Sequence, residues 1–453
     1  MRTSDRYVAA LDIGSSKVAL AVGEKTGAGI RIVGYHDAPS AGVECGEINN
    51  DIKVAEIVRT LIDRAEAGLG EKINEVTVGI SGRVIHRMKQ DSVVKRVNPD
   101  AGITQQEVLQ IVRSQFKARI GEGEAVFEAV PQNYDTEDRI GIVSDELVGM
   151  TGKELEAHFT LFGGRKAILD RRIKVLELCG LALHKAVLTP VASARAVLTS
   201  REMESGVVLV DIGKGTAGVA VVRDNIVRHV AVIPFGGEAV TGDIRTDTGI
   251  TRQWAENIKI QQGRCCEEYA IENRKLVLRD ESDFVEGEVD LMLLTRIIEA
   301  RMSEIFDAVA YAIGQSGYAN RIPAGVVITG GTCHLGNIAQ LAGSLLGCKV
   351  RLAALQGAVT GDSVEEAFDV YASTAVGLVL ETLDPMLSFA LENESEPEQP
   401  DGRAVETGTV PEPEHPKSTP RGRGLFGGKR GGGDGPGLFD GIEKMFRNTN
   451  DEA

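Results

Sequence analysis

The chain is 453 residues long, enough for more than one domain, and 42% of it is apolar, as in an ordinary folded protein. A formal net charge of −16 excludes the basic footprint that broad nucleic-acid binding needs. Six scattered cysteines (45, 179, 265, 266, 333 and 348), none in C-x-x-C spacing, argue against a thiolate metal centre or a disulfide framework. No run of about 18 apolar residues is available to span a membrane.

In chain order, Met1–Arg6 has no secretory-leader pattern and runs straight into a strand. Apolar Val8–Leu11 and Val18–Val22 flank Asp12-Ile13-Gly14-Ser15-Ser16-Lys17, which predicts a hairpin with a tight polar turn. Ile52–Ala67 carries Val54, Ile57, Val58, Leu61 and Ile62 at helical spacing, with Asp51 placed to cap it and Gly68 and Gly70 to end it. Val76–Ile80 reads as a strand. The segment from about Ile85 to Phe162 reads as a small inserted α+β unit. It holds strand-like Ser92–Val97, a helix opened by a Thr104/Glu107 capping box, and strand-like Leu155–Leu161. Ile168–Leu178 and Leu291–Ile313 have helical periodicity.

The early hairpin phrase recurs. Val207–Val210 and Val219–Val222 flank Asp211-Ile212-Gly213-Lys214-Gly215-Thr216. Two such hairpins, one per half, can face each other across a cleft. Glycines and hydroxyls at the tips leave backbone N–H groups to meet phosphate oxygens, and an Asp ending each first strand can hold water or Mg²⁺. Pro234-Phe235-Gly236-Gly237 comes next. Val326–Thr329 is a strand running into Gly330-Gly331, where the backbone can pass under a flat ring or sugar.

After about Asp384 the composition changes. Eight of the 14 prolines fall in 385–436, which predicts a disordered linker. Lys417, Arg421, Arg423, Lys429 and Arg430 make it locally basic. Within 437–453, Leu438, Phe439, Ile442, Met445 and Phe446 share one face of a short helix. That face either docks on the protein itself or lies in a membrane interface, where the basic stretch adds attraction to anionic lipids.

The ordered set of motifs resembles the actin-like, sugar-kinase and chaperone ATPase superfamily, and within it the FtsA family of bacterial cell-division proteins. The resemblance rests on Asp12–Val18, Gly42–Asn50, Ala129–Tyr134, Pro234–Gly237 with Asp243-Ile244, Ala255–Lys259 with Gly263, Ile328–Gly331 and Ser373–Leu378, and it covers nearly the whole chain. It implies an α/β actin-like ATPase fold with two duplicated lobes, a small inserted α+β subdomain, and a disordered C-terminal linker ending in an amphipathic helix. The implied division is first lobe 1–84 and 163–200, inserted subdomain 85–162, second lobe 201–384, linker 385–436 and membrane-targeting helix 437–453.

The resemblance implies site roles as well. Gly14, Ser15, Ser16 and Lys17 would contact the β- and γ-phosphates of ATP, and Gly213, Gly215 and Thr216 would cover them from the other side. Asp12 and Asp211 would hold Mg²⁺ through water. Gly236 and Gly237 belong to the same nucleotide-binding set. Glu256 and Lys259 would contact ribose or base, with Gly330 and Gly331 beneath. The chain departs from the family at Lys214, where a glycine is usual, and at Gly218, where relatives commonly carry Asp. Lys214 reads either as a solvent-facing turn residue or as an added phosphate contact.

The implied partners are the FtsZ C-terminal peptide on about 240–300, further copies of the chain in a filament, inner-membrane lipids and later division proteins. The implied location is peripheral, on the cytoplasmic side of the inner membrane at the division site. No residue is marked by context as a catalytic base, and the resemblance implies slow ATP hydrolysis at most. A sugar- or acetate-type kinase and a PilM-like pilus-assembly protein are the competing readings on the same fold.

Overall fold

The computed structural model describes residues 7–392, apart from 28, 270–273, 280–281, 283–284, 356–358, 361–369 and 387–388. Two sheets of the same topology form its two lobes. In the first, the strands lie side by side as Gly29–Pro39, Lys17–Thr26, Tyr7–Ile13, Glu75–Ile80 and Ala182–Leu188. The first three are antiparallel neighbours and the last two join in parallel. The second lobe repeats this order with Ile226–Ile233, Ala217–Arg223, Val207–Ile212, Val326–Thr329 and Val350–Leu352. The duplicated phrase in the sequence is therefore a duplicated structure, down to the register. Asp12 faces Ala19 across its hairpin, and Asp211 faces Gly218 across the other.

The local rules place the helices. Asp51–Leu69 buries Val54, Ala55, Val58, Leu61, Ile62 and Ala65 on one stripe and stops at Gly70, whose φ of 71° is left-handed. Its cap is Asn50, not Asp51. The Asn50 side chain accepts from the Lys53 backbone N, and Asp51 occupies the first turn, where its charge meets the helix dipole and Lys174 at 2.8 Å. Ala167–Cys179 and Leu291–Ser316 follow the predicted periods.

The inserted segment is a three-stranded sheet of His86–Lys95, Glu124–Asp135 and Glu154–Arg165, covered by helix Gln105–Gln115. Both capping-box bonds between Thr104 and Glu107 are made. Ile103, Val108, Val112, Tyr134, Leu147 and Phe159 give it a core of its own. It is not detached from the first lobe, however. Strand Phe389–Glu392, from the stretch expected to begin the linker, lies between Ala182–Leu188 and Glu124–Asp135 and is antiparallel to both. With Val359–Thr360 at the far edge beside Gly29–Pro39, the lobe and the insert thereby become one ten-stranded sheet, and the described sheet includes residues beyond 384. The rest of the expected linker, the 437–453 helix, and Leu438, Phe439, Ile442, Met445 and Phe446 lie outside the described residues.

The chain crosses between lobes on helix Thr189–Val197 and returns on helix Ser373–Leu383. These two helices touch backbone to backbone, since a Cβ on Gly377 would lie 1.8 Å from the Ala192 carbonyl oxygen. Nearby, Arg351 grips both carboxylate oxygens of Glu202 through Nε and Nη2 at 2.7 Å each, and Thr199 adds hydrogen bonds. Arg351 and Thr199 outweigh burial and hold the Glu202 carboxyl down at about 2. A depressed carboxylate adds stability that is complete above its unfolded pKa, near 4.5, and is lost as pH falls toward about 2. Glu202→Gln is therefore expected to lower stability at neutral pH by about 1–2 kcal/mol after solvent screening. The deficit should shrink steadily below pH ~4.5 in melts across a pH series; a deficit that stays constant with pH would contradict a stabilising role for the Glu202 charge.

Candidate functional site

The two hairpin turns are built alike. Gly14 N donates to Lys17 O at 3.0 Å, and Gly213 N donates to Thr216 O at 2.9 Å. They face each other across a cavity of about 250 Å³. One wall is Asp12, Gly14, Ser15, Ser16 and Lys17 with Gly46 and Ser81. The other is Asp211, Gly213, Lys214, Gly215 and Thr216. Glu256, Lys259, Gly330 and Gly331 close it on the second-lobe side, and Thr189, Pro190, Ser373 and Thr374 of the crossing helices form its floor. Gly215 lies against Ser15 and Cys45, so the turns themselves touch across the cleft.

Gly236 and Gly237 pack directly against the second turn. They lie behind the second turn, where Gly237 N donates to Gly213 O at 2.9 Å and a Cβ on Gly236 would lie 2.4 Å from that same oxygen. Their small size lets helix Gly237–Thr248 abut the turn. Gly330 is constrained in another way. Its φ of 84° is left-handed, and a side chain there would strike Asp211 Oδ1 at 2.4 Å.

The electrostatics separate the two acids. Burial, then the charge of Asp211, push Asp12 up to about 6 against the pull of Lys17 and Arg172. Burial also raises Asp211, opposed by hydrogen bonds from Ser193 and Thr374. The cations differ as well. Lys17 Nζ donates to Tyr35 OH at 2.6 Å and Asp37 at 3.1 Å, and lies 5.7 Å from the centre of the Tyr371 ring. Lys259 is buried and donates to Gly237 O, Thr241 Oγ1 and Glu256 Oε2 at 2.8–3.1 Å. Burial alone would raise Glu256, but the hydrogen bonds from Lys259 and Thr241 and the Lys259 charge hold it below the usual range. Lys214 lines the cavity with its ammonium 3.9 Å from Glu238, beyond hydrogen-bond reach. At Gly218, a Cβ would meet the Pro190 ring at 2.7 Å, so that proline occupies the room a side chain would need.

Several residues of the site were missed in the sequence. His334 stacks on Tyr371 with ring centres 4.4 Å apart, and both line the cavity. Arg172 is 1% exposed and donates to the carbonyls of Gly79, Ile168, Gly46 and Ser81, which fixes the loop under the first turn. Burial lowers its pKa to about 10, while Asp12 and Glu47 oppose that fall. Its signal was readable, because it falls on the apolar stripe of its helix with Ile168, Leu169, Val175 and Leu176.

Comparison with known proteins gives consistent matches. The family model "Cell division protein FtsA" matches residues 208–377. The FtsA of Neisseria meningitidis serogroup B is 32% identical over 382 residues, 84% of this chain and 91% of that protein. The Escherichia coli K12 FtsA is 30% identical over 385 residues, 83% and 90%. Among solved structures, the PilM–PilN type IV pilus biogenesis complex matches with a TM-score of 0.59 at 15% identity, covering 83% of this chain and 99% of that one. MreB5 of Spiroplasma citri bound to ADP matches at 0.50 and 14%, covering 84% and 97%. At such identities these structures speak for the fold, which is actin-like.

Proposed function

The chain belongs to the FtsA family of cell-division proteins, and on that premise we propose that it is an ATP-binding, filament-forming adaptor that tethers FtsZ to the cytoplasmic face of the inner membrane. The observation that carries the nucleotide reading is the pair of equivalent turns on opposite walls of one cavity, each with an acid behind it. One similarly folded protein, MreB5, is bound to ADP in its solved structure. In this reading Gly14, Ser15, Ser16 and Lys17 meet the β- and γ-phosphates from one side, and Gly213, Gly215 and Thr216 meet them from the other. The loosely held Lys214 adds a charge there, Glu256 and Lys259 take the sugar or base, and Gly330 and Gly331 pass beneath.

The donor set fits Mg²⁺. Asp12 and Asp211 are two carboxylates raised by burial, one of them further by the other's charge, and a divalent cation held through water offsets that cost. When bound, Mg²⁺ would neutralise polyphosphate oxygens. In keeping with the family resemblance, turnover is slow at most in this reading. ATP then acts chiefly by favouring one arrangement of the lobes, the one that polymerises. The segment 240–300 takes the FtsZ C-terminal peptide, and the insert contacts neighbouring copies and later division proteins.

Calorimetry on the full chain tests the site. ATP with Mg²⁺ should give binding heat, and Asp211→Asn should weaken that binding at least about ten-fold. A full-length chain that gives no heat with any adenine nucleotide refutes the reading. The membrane arm is tested separately. A chain lacking 437–453 should stay in the supernatant when spun with anionic phospholipid vesicles that pellet the intact protein. Equal pelleting of both would remove that helix from the tether.

A further inference from the structure

The two hairpins match in register and turn, yet their acids are held differently. Asp211 Oδ2 accepts from Ser193 Oγ at 2.6 Å, and Thr374 Oγ1 lies 3.3 Å from the same oxygen and 2.9 Å from Ser193 Oγ. Ser193 comes from the helix that carries the chain out of the first lobe, and Thr374 from the helix that carries it back. One residue earlier on the returning helix, Ser373 accepts from Thr329 of the second lobe's strand at 3.2 Å. Among the described residues, Asp12 has no matching hydroxyl pair. The other oxygen of Asp211, Oδ1, lies against the Gly330 backbone, and both residues line the cavity.

We propose that Ser193 and Thr374 are positioning residues that make the orientation of Asp211 depend on the spacing of the two crossing helices. Both hydroxyls reach one oxygen only while those helices hold their present separation. A cation-bound polyphosphate that needs Asp211 in this orientation therefore favours that separation, and any shift of the lobes that parts the helices releases the carboxylate. The inference rests on the nucleotide reading and adds the route by which occupancy reaches the arrangement of the lobes. Since Ser193 and Thr374 are 181 residues apart in the chain, only the crossing brings them together.

The test measures ATP affinity of the full-length protein by calorimetry, in Mg²⁺ and in EDTA, with hydrogen exchange of residues 373–383 alongside. In the parent, Mg²⁺ should tighten ATP binding, and Mg²⁺-ATP should slow exchange in that helix. Ser193→Ala and Thr374→Val should each cut the Mg²⁺-to-EDTA affinity ratio about ten-fold and abolish the slowed exchange, and Ser193→Ala, which does not line the cavity, should leave affinity in EDTA within about two-fold. Thr374→Ser keeps the hydroxyl and should behave as the parent. Parental ratios and exchange in both Ser193→Ala and Thr374→Val overturn the proposal. A parent that binds no ATP in either condition overturns the nucleotide reading itself, and with it this inference.

Discussion

Gly377→Ala is expected to force the two crossing helices apart and to lower the melting temperature by roughly 5 °C or more. The atoms that an added Cβ would meet are backbone: the Ala192 carbonyl oxygen at 1.8 Å, its carbon at 2.4 Å and its Cα at 3.1 Å. No side-chain rotation relieves such an overlap, so a helix must move as a body. Both helices are packed into the main core through Val191, Ala194, Val376, Leu378 and Val379, all buried. Overpacking at such a place costs about 3 kcal/mol, at the upper end of the usual range. The same displacement lifts Thr374 away from Asp211, so ATP affinity should fall together with stability. Thermal melts and calorimetry on one preparation check both. An unshifted melt would mean that the helices do not meet at Gly377.

Arg172→Met is expected to cost about 3–5 kcal/mol, although methionine fills much of the same volume. The guanidinium donates to four carbonyls at 2.7–3.2 Å, and two of them, Gly46 and Ser81, belong to residues of the cavity wall. Removing the donor strands buried acceptors, at about 1–3 kcal/mol each when no water reaches them. It also removes a cation that opposes the rise of Asp12. The loop around Cys45, whose φ of 46° is already unusual for a side-chain-bearing residue, loses its anchor at Gly46. We expect a lower melting temperature and new proteolytic cleavage between Gly42 and Ile48. Lysine should rescue only part of the loss, because its point charge cannot span four acceptors in a planar fork. Parental melting and an uncut loop in Arg172→Met would contradict the anchoring role.

The parts of the fold read correctly from the sequence are those with strong local signals. Alternating or unbroken apolar runs located both hairpins, and Val326–Thr329 was bounded to the residue because Gly330-Gly331 punctuates it. The Thr104/Glu107 box worked because both partners lie within one helical turn. Where two acceptable caps adjoin, as at Asn50-Asp51, the pattern does not say which side chain reaches the third amide. At Gly236-Gly237 a glycine pair signals a close approach without saying to what, and the structure brings it against the neighbouring turn. The hydroxyls at Asp211 come from residues far apart in sequence, which no periodicity can pair. Phe389–Glu392 was assigned to the linker because proline and glutamate dominate the residues that succeed it in the chain. Its place in the sheet is a long-range pairing with nothing local to announce it.

That last strand has a mechanical consequence. It is gripped on both flanks, by Lys185 and Ala186 on one side and by Glu128 and Ala129 on the other. Traction applied to anything beyond residue 392 does not swing on a loose swivel. It enters the body as shear along two ladders at once, one rooted in the first lobe and one in the insert. A pull there would load the joint between them, and letting go of that strand would break the sheet's continuity, leaving Phe127, Val130 and Phe162 in the shared core to hold the insert to the lobe.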